Sequence, residues 1–167
     1  MIIAENSTVK FVPYIIMIGK SFSYANAAHF AKLSQLAYEK DENKFKNAIK
    51  PFGYKNVMYF DRDGAQCYGL ENEDYVVLTF RGTEPTTAND VKADLNILHD
   101  TDSLGISKGR VHSGFLDEVN TLWPDITLWL TGTGDKKVYT CGNSLGAAMS
   151  GIAASRIEGA TSYTYGC

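Results

Sequence analysis

At 167 residues, 44% hydrophobic and 21% charged, the chain has the balance of a globular domain with one apolar core. A net charge of −3 without any Lys/Arg cluster excludes a nucleic-acid or anionic-membrane footprint. Three cysteines, Cys67, Cys141 and Cys167, fit no metal or redox spacing and supply no disulfide framework, so buried free thiols are expected.

Residues 1–22 read as an N-terminal extension. The apolar run "FVPYIIMIG" at 11–19 is too short to span a bilayer. Lys10 before it and Ala25-Asn26-Ala27 after it sketch a secretory signal with its cleavage site. Against that reading, Pro13 interrupts the run and the Ala-Asn-Ala triplet lies in a helical pattern. The compartment stays open, with the cytoplasm favoured over secretion.

From residue 23 to 167 the pattern is that of one domain. "SYANAAHFAKLSQLAYEK" places Phe30, Leu33 and Ala37 at helical spacing. Asp41 caps a second short helix with Phe45, Ala48 and Ile49 on one face, stopped by Pro51. Three strands follow, "NVMYF" (56–60), "AQCYGL" (65–70) and "YVVLTF" (75–80), separated by the turns "DRDG" and "ENED". The acidic turn has too few ligands for a calcium loop and reads as a hairpin. The third strand, almost wholly apolar or β-branched, suits burial on both faces of a sheet.

Beyond residue 83 the sequence turns polar, with a short helix expected at 88–95 and a loop at 102–109. "FLDEVNTLWPDITLWL" then sets Phe115, Val119, Leu122, Ile126 and Trp129 at helical spacing, and Pro124 implies a kink or a fresh helix start. "KKVYTC" is a strand, 145–158 a helix closed by Gly159, and "TSYTYG" a final strand. Strands alternating with helices in the second half predict an α/β fold with a mostly parallel central sheet flanked by helices.

The stretch Gly142-Asn143-Ser144-Leu145-Gly146 matches G-x-S-x-G. The pentapeptide alone is a weak signal, but it lies between a strand and a small-residue helix, as a nucleophile elbow requires. There the serine backbone is strained, and the residues two positions to either side must be small because strand and helix nearly touch. Gly142 and Gly146 meet that demand, and Ala147, Ala148 and Gly151 are expected to let the helix pack closely on the sheet. The hydroxyl of Ser144 would stand at the C-terminal edge of the sheet, with the N–H of Leu145 aimed at a reacting carbonyl. A phosphate cradle is excluded by the lack of a Walker lysine.

In order along residues 23–167, several blocks resemble the class 3 lipases, the fungal-type triacylglycerol lipases and their bacterial relatives. "AKLSQLAYE" is similar to their N-terminal helix, "VVLTFRGTE" to the strand entering the oxyanion loop, and "VKADLNI" to the stretch after the lid. "VHSGF", "GNSLGAAMS" and "SYTYGC" resemble their remaining blocks. The resemblance implies an α/β-hydrolase fold and a serine carboxylic-ester hydrolase acting on an ester or acylglycerol without metal or cofactor. It makes Ser144 the nucleophile, with Thr83 and Leu145 supplying the oxyanion donors. It makes residues 84–95 a lid. "EPTTANDVKAD" offers only Val91 and Ala93, with Leu95 just beyond, as apolar contacts, which implies transient contact with a lipid interface and favours soluble or short-chain esters. Two positions depart from the family: Asn143 stands where histidine is usual, and Ala147 where a second glycine is usual. Neither carries the chemistry, so packing at the elbow is where an effect is expected.

A serine nucleophile needs a base, and in this fold the order is Ser, then Asp or Glu, then His. Residues 145–167 contain no histidine, and their acidic residue, Glu158, reads as the end of the nucleophile helix. His29 reads as a surface or packing residue and His99 as a solvated loop residue. His112 resembles a structural residue near Arg81 or Asp94. The strand "TSYTYG" would also leave one edge unpaired, and a complete hydrolase of this type takes on the order of 250 residues. The expectation is an incomplete α/β-hydrolase domain, truncated after the strand that follows the nucleophile helix, lacking the triad Asp and His and inactive or nearly so by itself. The competing expectation is a degenerate, non-catalytic hydrolase fold kept for binding or assembly. Asn143 and the missing partners favour it; the retained Ser144, its glycines and Thr83 oppose it. Nothing in the sequence indicates the oligomeric state.

Overall fold

The structure is a computed structural model that describes residues 23–82 and 113–166. The expected helix at 88–95, the loop at 102–109, Thr83, the lid-like segment, His99, His112, Cys167 and residues 1–22 lie outside the described residues.

Helix α1 (Tyr24–Leu36) begins where the extended Ser23 accepts the Asn26 N–H on its hydroxyl at 3.3 Å. Phe30, Leu33 and Ala37 are all buried, as their spacing predicts. The Ala25-Asn26-Ala27 triplet lies inside this helix, with Asn26 buried. Asp41 caps α2 (Glu42–Ile49) by accepting the N–H groups of Asn43 and Lys44 at 2.9 and 3.2 Å. Phe45 and Ile49 face inward, but Ala48 is exposed, because one turn of so short a helix presents only the i, i+4 pair to the sheet. Pro51 does not end the helical path at once. Lys50–Phe52 form a 3₁₀ turn that Pro51 suits, and Gly53 at φ +78° closes it.

One sheet holds β1 (Asn56–Arg62), β2 (Ala65–Glu71), β3 (Tyr75–Phe80), β4 (Lys137–Asn143) and β5 (Thr161–Tyr165), in spatial order β1-β2-β3-β4-β5. The first three form an antiparallel meander, and β3, β4 and β5 run parallel. Asp63 and Gly64, at φ 52° and 89°, make the two-residue β1–β2 turn whose left-handed backbone matches strand twist. At the next turn Asn72 Oδ1 accepts the N–H groups of Asp74 and Tyr75, both at 2.9 Å.

β3 is buried along its whole length. Val76, Leu78 and Phe80 face a core completed by Val119, Leu122 and Ile126 of α3 (Ser113–Thr131) and Met149 of α4 (Leu145–Ser155). Tyr75 and Val77 face the opposite core, with Phe30, Leu33, Phe45 and Ile49. Helices therefore cover both faces, which explains why β3 carries no polar alternation.

Pro124 neither ends α3 nor restarts it: the helix is continuous from Ser113 to Thr131. Pro124 and Asn120, whose carbonyl loses its partner, are both exposed, so the missing bond falls on the solvent side. α4 stops at Ser155, three residues before the expected end, and Gly159 at φ +70° belongs to the turn into β5. Gly151 is exposed with nothing within 4 Å of an added Cβ, so it does not serve the helix–sheet contact predicted for it. That contact is made by Gly146, Ala147 and Ala153, which are buried. Among the described residues, no helix is long and apolar enough to cross a membrane.

Candidate active site

At the C-terminal end of β4 the chain reverses within one residue. Asn143 is the last strand residue, Leu145 the first of α4, and Ser144 between them has φ 55° and ψ −124°. An L-residue held there costs about 1–3 kcal/mol, so the surroundings must enforce it. The Ser144 N–H donates to the Tyr165 carbonyl at 2.9 Å, and the Ser144 carbonyl accepts from the Ala147 N–H at 2.9 Å. The Asn143 carbonyl accepts from the Tyr38 hydroxyl at 3.2 Å.

The same turn consists of backbone in direct contact. A Cβ on Gly142 would overlap the Gly146 carbonyl, and one on Gly146 would stand 2.5 Å from the Phe80 carbonyl oxygen and 2.9 Å from the Gly82 nitrogen. Three segments thus meet with no side chain between them: the end of β4, the start of α4 and the exit from β3. That exit, Arg81-Gly82, leads directly to Thr83. Arg81 is fixed by its own N–H on the Gln66 carbonyl at 3.1 Å and by its guanidinium on the Gln66 side chain.

A serine before a helix ordinarily caps it from an extended backbone. Here Ser144 has a positive φ and makes no capping bond to α4. Ser144 is half-buried and directly precedes the first turn of α4. The N–H groups of that turn have no carbonyl four residues back within the helix, and the helix dipole adds partial positive charge there. Leu145 buries its side chain while its N–H belongs to this turn. Behind the turn, the buried Ser150 hydroxyl donates to Thr140 Oγ1 at 2.9 Å and lies 2.8 Å from Ser162 Oγ. Thr140 Oγ1 in turn donates to the Ser150 carbonyl at 3.0 Å, so α4 is tied to both β4 and β5.

His29, the one histidine among the described residues, is buried on α1 with Nε2 2.7 Å from the Tyr54 hydroxyl and its ring edge-on to Phe30 and Phe52. Burial lowers its pKa to about 4, which keeps it neutral. It is a packing residue, as expected. Glu158 is exposed beyond the far end of α4 from Ser144. Cys67 and Cys141 are buried free thiols, and desolvation pushes Cys141 up to about 11.

Asn143, at the position where the resembled family has histidine, leans over Gly166: its Oδ1 would stand 2.8 Å from a Cβ placed there. With Ala28, Ala31, Tyr38 and Tyr165 it lines a cavity of about 640 Å³ between α1 and the end of the sheet. Sequence reasoning missed Tyr38, Gly82 and Tyr165. Their only sequence signal is membership of the blocks "AKLSQLAYE", "VVLTFRGTE" and "SYTYGC", since Tyr38 lies 105 residues from the carbonyl it binds.

The family model described as lipase (class 3) matches residues 77–164, just over half of the chain. Among solved structures the fold is similar to the triacylglyceride lipase of Rhizomucor miehei, with TM-score 0.55, 16% identity, and 83% of this chain and 60% of that chain covered. It is also similar to the lipase of Rhizopus microsporus var. chinensis, with TM-score 0.58, 21% identity, and 86% and 58% covered. Lipase II from Rhizopus niveus gives TM-score 0.52, 21% identity, and 81% and 56% covered. The chain thus spans less than two thirds of the length of each of these structures, and no curated protein matches it. The five strands and flanking helices are part of the α/β-hydrolase fold of those lipases. Because the matched region runs from β3 through the strained serine to β5, the chain belongs to the class 3 lipase family.

Proposed function

We propose that Ser144 is the nucleophile of a lipase-type serine carboxylic-ester hydrolase. The observation that carries this reading is the left-handed backbone of Ser144 at the β4–α4 junction, where the serine stands at the N-terminus of α4 without capping it. In the reaction, Oγ attacks the ester carbonyl as a base removes its proton. The Leu145 N–H, joined by the N–H and hydroxyl of Thr83, stabilises the tetrahedral oxyanion. Collapse expels the alcohol and leaves an acyl-serine, which water hydrolyses with the same base. Electrostatic stabilisation by each such amide is worth roughly 10²–10³ in rate.

The base is not His29, which is buried on α1, engaged by Tyr54 and made less basic by desolvation. Residues 145–167 contain no histidine, so the 167 residues alone are expected to turn over esters weakly or not at all. The substrate is an ester or acylglycerol, and the polar segment 84–95 favours soluble, short-chain forms with only transient contact at a lipid interface. Neither a metal nor a cofactor takes part in these steps.

A fluorophosphonate probe, which phosphonylates only an activated serine, tests the reading. The full-length protein is expected to label at Ser144, and Ser144→Ala to abolish the label. A full-length protein that stays unlabelled would support the other reading, a hydrolase fold retained for binding, which Asn143 favours. Fast p-nitrophenyl ester turnover by the 167 residues, lost in Ser144→Ala, would overturn the expected inactivity and direct the search for the base to His99 and His112.

A further inference from the structure

We infer that Tyr38 is a positioning residue for the reacting serine: its hydroxyl clamps the peptide group before Ser144 and meets the backbone at Gly82. The clamp itself follows from geometry, and only its consequence for reactivity rests on the nucleophile reading above.

The value of φ at Ser144 depends on how the planar Asn143–Ser144 peptide group is oriented about the bond to the Ser144 Cα. In a trans peptide the C=O and N–H point in opposite directions, so fixing both ends fixes the plane. Both ends are held. The Asn143 carbonyl accepts from the Tyr38 hydroxyl at 3.2 Å on one side, and the Ser144 N–H donates to the Tyr165 carbonyl at 2.9 Å on the other. A strained φ in a non-glycine residue persists only when its surroundings over-determine it, and two opposed bonds on one peptide do so.

Both holders are tied to α1. Tyr38 follows the end of that helix, its N–H on the Gln35 carbonyl at 3.4 Å. Tyr165 sends its hydroxyl to the Ala27 carbonyl in the first turn. α1 in turn is seated on the sheet by Phe30, whose ring lies 5.1 Å from Tyr139 and 4.6 Å from Tyr163. One arm, the Tyr38 hydroxyl, therefore comes from the end of α1, and the other, the Tyr165 carbonyl, from β5, which the Tyr165 hydroxyl ties to α1.

The Tyr38 hydroxyl also explains why position 82 lacks a side chain. A Cβ on Gly82 would stand 2.6 Å from that oxygen and 2.9 Å from the Asn143 carbonyl oxygen. One hydroxyl thus bonds the residue preceding the nucleophile and lies against position 82 at the exit of β3, and Tyr38 acts through that backbone.

Tyr38→Phe in the full-length protein removes the hydroxyl and keeps the ring. We expect amide hydrogen exchange at Ser144, followed by NMR, to quicken about fivefold, the loss of one neutral hydrogen bond, with the melting temperature lowered by only a few degrees. Toward a fluorophosphonate, the limiting inactivation rate is expected to fall by about the same factor with the half-saturating probe concentration unchanged. Exchange at Ser144 within twofold of wild type overturns the clamp whatever the reactivity. A quickened exchange with an unchanged inactivation rate overturns the positioning role. If wild type itself does not react with the probe, the nucleophile reading fails while the exchange result still decides the clamp. Should Tyr38→Phe not fold, Tyr38→Leu, which also lacks the hydroxyl, is read in the same way.

Discussion

Gly142 and Gly146 meet across the turn at Ser144 with no room for a carbon between them, so the peptide backbones of β4 and α4 are themselves the packing surface. Neither neighbour can yield cheaply, because each is main chain held in a strand or a helix. Gly142→Ala is expected to cost at least about 3 kcal/mol, at the upper end of overpacking effects. Gly151→Ala, in the same helix but exposed and with open space around it, should instead stabilise by about 0.5–1 kcal/mol through helix propensity. Urea unfolding of the two variants would check the opposite signs, and equal effects would show that close packing is not confined to the elbow.

Ser144 bears a backbone strain that glycine would not feel. Ser144→Gly is expected to stabilise the fold by about 1 kcal/mol, the relieved strain less the extra entropy glycine loses on folding. Denaturant midpoints would measure it. A Ser144→Gly variant less stable than wild type would mean that the hydroxyl itself contributes to folding, which its lack of a capping bond argues against.

His29 makes stability depend on pH in a definite direction. Its pKa is lowered by burial from 6.5 to about 4, so between those values the unfolded chain binds more protons than the folded one. Its contribution is complete above pH 6.5 and is lost as pH falls towards 4, reaching about 3 kcal/mol. His29→Gln, which does not titrate there, should flatten the pH 4–6.5 part of the stability curve. A wild-type slope that survives this substitution would place the responsible group elsewhere.

Local rules were enough wherever the deciding atoms are close in sequence. Ser23 and Asp41 cap their helices because a short polar side chain reaches amides two or three residues on. Asp63-Gly64 forms the hairpin because both residues tolerate a left-handed backbone. Where the outcome depended on which side faced water, the same rules failed. Pro124 kept α3 whole because its missing bond lies on the exposed side. Gly151, read as a packing residue, points outward. Ala48 lost its place in the core because α2 meets the sheet along too narrow a line.

By itself the sequence determined the α/β alternation, the double burial of β3 and the small-residue frame around Ser144, since each is a matter of periodicity or of side-chain size at short range. Only the tertiary structure decided what holds Ser144 in its left-handed backbone. That depends on Tyr38 and Tyr165, which come from opposite ends of the domain to the two ends of one peptide group, and hydrogen bonds between such distant residues leave no periodic trace in the chain.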